Sequence, residues 1–118
     1  MLENIALILQ IHQRLSRAKA HKVVAAVLDL LNLEKISQLR YESCSNKEIF
    51  LVQIIRACIQ KDAKIIIEQP FILLNEEASL DFIFETLDML GIAHERVLVI
   101  DLQHQENYYK ESGWHIIK

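Results

Sequence analysis

A chain of 118 residues, 52% of them hydrophobic, is long enough to bury one core and too short for two ordinary domains, so 1–118 is read as a single unit. Its net charge of −3 arises from acids and bases mixed along the whole length with no separate Lys/Arg cluster, which argues against nucleic acid as a partner. The apolar run Ile5 to Leu9 follows Glu3 rather than a basic segment, no stretch approaches membrane-spanning length, and Cys44 and Cys58 lack ligand spacing, so a reduced, cytoplasmic protein without direct membrane insertion is expected.

From Met1 to Gln69 neither Pro nor Gly interrupts, and apolar residues recur three and four apart, the spacing of helices. Ser16 is the expected cap of a helix from about Arg17 to Leu31 that buries Val23, Val27, Leu30 and Leu31. A turn at Asn32 to Glu34 follows. Ser43 to Asn46 breaks the pattern, and Ser45 with Glu48 three residues on is a capping-box signature. The helix it opens carries Ile49, Val52, Ile54, Ile55, Ala57, Cys58 and Ile59 on more than one face, which predicts a helix surrounded by protein.

The period changes after Lys61. Lys64 to Gln69 is a short β-branched run stopped by Pro70, as expected of a buried parallel strand. An amphipathic helix from about Asn75 to Leu90 should end at Gly91 in a left-handed conformation. Arg96 to Leu102 is a second strand, a polar helix spans about Gln103 to Glu111, and Trp114 to Ile117 is a third strand. The predicted fold is α/β. A helical part over 1–61 precedes a strand-helix-strand-helix-strand part over 62–118, with three parallel strands joined by right-handed crossovers.

Acids at the carboxyl ends of parallel strands are the first candidates for chemistry, and here they are Glu68 and Asp101. Gly91 and Gly113 are the only glycines and lie far apart, so no G-x-x-x-x-G-K-S/T or G-x-G-x-x-G loop exists within these residues. Of the histidines, His12, His21, His94 and His115 share no ligand spacing. Tyr108 and Tyr109 beside Trp114 suit either an interaction patch or the closing of a core.

The stretch Tyr41 to Asn75 resembles, without a gap, the run from signature motif to D-loop of ABC-transporter ATPases, written L-S-G-G-Q, R-A-L, four apolar residues, D-E-P-T and S-G-L-D. Cys44-Ser45-Asn46-Lys47-Glu48 lies where the signature would be, Arg56-Ala57-Cys58 where R-A-L would be, and Ile65 to Pro70 where the Walker B strand would be. Val97 to Leu102 resembles the strand carrying the switch histidine, and Glu3-Asn4-Ile5-Ala6-Leu7 the E-N-V-A-L that follows the Q-loop. Phe71 and Trp114 look closest to the lipid-transport (solvent-tolerance) branch. The implied fold is a partial, P-loop-NTPase-like ABC cassette without a Walker A loop.

The resemblance implies that Ser45 would contact the γ-phosphate of ATP held by an opposite subunit. Asn46 and Lys47 replace both signature glycines, where a Cβ obstructs close backbone approach and Lys47 could offer charge instead. Glu68 stands at the carboxylate that holds Mg²⁺ through water. Gln69 replaces the glutamate that activates the attacking water, and a neutral amide cannot accept that proton. Asn75 sits at the D-loop aspartate, and Leu102 at the switch position, with His104 two residues later. Each has a plainer reading: Ser45 and Asn75 as helix caps, Glu68 and Gln69 as polar residues ending a strand.

These residues lead to the expectation of a degenerate ABC ATP-binding subunit that is not an enzyme by itself and binds ATP and Mg²⁺ only with a partner subunit. Its role would be docking or regulation toward a transporter or another ATPase subunit, with a homo-oligomer, another ABC subunit or the cytoplasmic face of a permease as partner. Such a chain would lie in the cytoplasm, peripheral to the inner membrane through its transporter. The alternatives are a fragment of a longer ABC ATPase whose upstream part carries the phosphate loop, and an interaction module with no nucleotide role.

Overall fold

The structure, a computed structural model, describes residues 1–60, 64–74 and 80–101. These form a mixed α/β arrangement, mostly helical, with a small two-stranded parallel sheet. Helix α1 (Leu2–His12), α2 (Arg17–Leu30) and α3 (Asn46–Cys58) come first, with short 3₁₀ turns at Glu34–Ile36 and Tyr41–Ser43. Strand β1 (Ile65–Glu68), α4 (Pro70–Leu74), α5 (Leu80–Met89), a 3₁₀ turn at His94–Arg96 and β2 (Val97–Ile100) follow. The expected helix over 103–111 and third strand over 114–117 lie outside the described residues.

Local signals set the helix ends. The Ser16 side chain accepts from the Lys19 amide at the start of α2. At the end of α2, Asn32 is left-handed at φ 58°, and the Leu33 amide reaches back to the Leu28 carbonyl. The end of α5 repeats this motif with Gly91 at φ 70° and the Ile92 amide on the Leu87 carbonyl. Ile92 and Leu87 are both buried in the core, the apolar contact that accompanies such an end.

Helix α3 is the wall shared by two cores. Leu51, Val52 and Ile55 pack with Ile5, Leu9 and Val24 of the first two helices. Phe50 and Ile54 pack with Ile65 and Ile67 of β1 and with Ile83 and Leu87 of α5. This double burial is why the helix is apolar on more than one face. The two carbonyls just past its end are served from both sides, by Gln13 Nε2 on Ile59 O at 3.0 Å and by Arg96 on Gln60 O at 3.3 Å.

Two expectations are corrected. Helix α2 buries Ala20, Val24 and Leu28, while Val23 and Leu30 are exposed and Val27 and Leu31 half-buried. Apolar residues line more than one face of that helix, and the 20–24–28 stripe is the one that packs in the core with Ile5, Ala6 and Leu9 of α1. The strands are not buried on both faces either. Along β1 burial alternates, with Ile65 and Ile67 inside and Ile66 outside, because the described helices cover one face of the pair.

Strands β1 and β2 run parallel in the register Ile65↔Val97 to Glu68↔Ile100, and the Gln69 amide extends the ladder to Ile100 O at 2.7 Å. Gln69 then turns left-handed at φ 45° and Pro70 opens α4 at the first helical position, where a missing N–H is harmless. The proline therefore starts a helix as well as stopping a strand.

Candidate functional site

The sequence-selected residues fall into two groups at elements that touch. At the amino end of α3, the Ser45 hydroxyl accepts the Glu48 amide at 3.1 Å and the Glu48 carboxylate accepts the Ser45 amide at 2.8 Å, a complete reciprocal box. Asn46 is exposed. Lys47 lies over the Phe82 ring with Nζ 4.4 Å from its centroid, so α5 engages the charge that would replace the missing glycine amides. Ser45, Lys47 and Glu48 thus each have a partner within the chain.

The second group sits at the carboxyl end of β1. Glu68 is exposed and Gln69 half-buried, with the strained left-handed backbone of Gln69 aiming the chain off the sheet. Asp101, half-buried, follows β2 directly, so both acids leave the sheet at the same end. A shallow hollow of about 130 Å³ opens between α3 and β1, lined by Phe50, Gln53 and Ala57 on one side and by Ile66, Glu68 and Gln69 on the other. Ser45, Asn46, Lys47 and Glu48 do not line it. The structure thus brings Glu68 and Gln69 together with Gln53 but not with the α3 cap.

Gln53 was not singled out by sequence reasoning. The available signal was a lone amide between Val52 and Ile54 in an otherwise apolar stretch. Asn75 and His104 lie outside the described residues. Among the described residues no group of three or more His, Cys, Asp or Glu side chains is placed to hold a metal ion.

The two thiols are not poised for chemistry. Burial pushes the Cys58 thiol up to about 11, opposed by the nearby Arg96 guanidinium. Cys44 is also raised, by burial and then by Glu48, and its sulfur lies 3.5 Å from the Arg40 carbonyl. Neither is a thiolate at neutral pH.

Fold and site together define a mostly helical α/β protein with a parallel strand pair and an acidic strand-end edge. No family model, curated protein or solved structure matches the chain. Among the described residues no helix is long and apolar enough to cross a membrane.

Proposed function

We propose that this chain is a degenerate ABC-type ATPase subunit that does not hydrolyse ATP alone and serves a docking or regulatory role toward a transporter or another ATPase subunit. The carrying observation is an ordered arrangement: a serine-capped α3 laid on β1, Glu68-Gln69-Pro70 at the end of that strand, and a helical crossover to the adjacent parallel β2. In this reading β1 and β2 belong to a partial P-loop-like sheet. Glu68 stands in the Mg²⁺ position and Gln69 in that of the water-activating glutamate. The amide oxygen of Gln69 accepts a hydrogen bond but not a proton at neutral pH, so the site has no general base. Within these residues there is also no glycine-built cradle for a triphosphate.

Phosphate release from Mg²⁺-ATP by the purified chain tests the first half of this reading. Background release is expected. Release well above background and abolished by Glu68→Ala overturns it. The second half is tested by titrating the chain into a complete ABC ATPase: a changed turnover supports regulation, and no change at saturating amounts argues against it.

The capped Ser45 and the stacked Lys47 favour a second reading, an interaction module with no nucleotide role. A fluorescent ATP analogue with Mg²⁺ separates the two. Binding that is lost in Ser45→Ala or Glu68→Ala excludes the module, and absence of binding, with or without a partner subunit, selects it.

A further inference from the structure

The outer face of the strand pair carries a pattern that nucleotide chemistry does not explain. On β1, Ile65 and Ile67 point into the core, while Lys64, Ile66 and Glu68 are exposed on the other side. The register sets Ile66 beside Leu98 and Glu68 beside Ile100, which adds both β2 residues to the same face. Ile66, Leu98 and Ile100 are 63%, 48% and 46% exposed, aliphatic side chains in a place where an open sheet normally alternates to polar ones.

The charges beside this patch are arranged symmetrically. Lys64 and Glu68 stand two residues either side of Ile66, and among the described residues neither has an ion-pair partner. Read backwards, the row Lys64, Ile66, Glu68 is its own electrostatic complement. A second copy laid face to face with its strands reversed, about a two-fold axis through Ile66 and Leu98, brings each Lys64 over the partner's Glu68. Ile66 and Leu98 then meet their own counterparts. With strands in the same direction, like charges would coincide at both ends, so charge selects the reversed orientation.

We propose that the outer face of β1 and β2 is a self-association surface whose occupant is a second copy of this chain in that reversed, two-fold arrangement. The inference is independent of the nucleotide-related reading. Two strands of four residues offer a face of about 13 Å by 10 Å, on the order of 130 Å² and far less than the ~800 Å² per partner of a stable interface. The dimer is therefore weak, and concentration controls it.

Sedimentation equilibrium of the full chain at low salt, from about 10 μM to about 1 mM, provides the test. A monomer–dimer equilibrium is expected within that range. Lys64→Glu and Glu68→Lys should each weaken it by about tenfold or more, since each reverses two symmetric contacts. An equimolar mixture of the two variants should recover association as a heterodimer, because the two acids of one chain then face the two bases of the other. Circular dichroism checks that these exposed substitutions leave the fold intact. A monomer throughout, single variants that associate like wild type, or a mixture that fails to recover each overturns the proposal. A persistent monomer would leave the face to a different protein.

Discussion

Lys47 Nζ sits 4.4 Å from the centre of the Phe82 ring, tying the first turn of α3 to α5. Phe82 in turn lies 6.3 Å from Phe50, ring centre to ring centre, so the contact continues into the core between α3 and the sheet. A double-mutant cycle on Lys47→Ala and Phe82→Leu, read by urea unfolding, should give a coupling of about 0.5–1 kcal/mol, the range for a cation over an aromatic face at an exposed site. A coupling near zero would mean that Lys47 is free for an anionic ligand.

Ser45 should behave as a cap. Ser45→Ala is expected to cost about 1 kcal/mol, and Ser45→Asp to keep nearly all the stability, since aspartate accepts the same amide hydrogen bond. Glu48→Ala on top of Ser45→Ala should cost less than on the wild type, because the two bonds form one box. If Ser45→Asp abolishes the effect of the chain on a partner ATPase while leaving the melting curve in place, the serine has a phosphate-facing role besides the cap.

Neighbouring isoleucines of β1 should respond very unequally to one substitution. Ile65 is 2% exposed and Ile66 63% exposed. Threonine keeps the β-branched shape, so Ile65→Thr should cost about 2 kcal/mol or more from a buried hydroxyl, and Ile66→Thr less than about 0.5 kcal/mol. Chemical denaturation of dilute protein measures both.

Alkaline stability should depend on Cys58. Its thiol is raised from 9.0 to about 11 in the folded state, chiefly by burial, so the native protein holds the proton more tightly than the unfolded chain. The stabilising contribution is complete below pH 9 and is lost as pH rises through about 11. Thermal melts between pH 8 and 11 should fall more steeply for wild type than for Cys58→Ser, and parallel curves would contradict this.

Much of the candidate site was legible because its parts are local. The capping box needs only residues three apart, and Glu68 with Gln69 is marked by a β-branched run that meets a proline. Two features were not legible. The Phe82 stack over Lys47 joins residues 35 positions apart in the chain, a pairing that no periodicity encodes. Gln53 enters the hollow because β1 happens to lie across that face of α3, and the sequence near Gln53 shows only that it interrupts an apolar run.

From the residues alone came the starts of α2 and α3 at Ser16 and Ser45, the turn at Asn32, the end of α5 at Gly91, the two short β-branched strands, and the lack of any glycine-rich phosphate loop within these residues. Each depends on backbone chemistry within a few positions of itself. Tertiary packing decided which stripe of α2 is inside, that α3 serves two cores, and that the described helices cover only one face of the strand pair. Those are questions of which element covers which, and a side chain's burial is set by neighbours distant in the chain as much as by its own hydrophobicity.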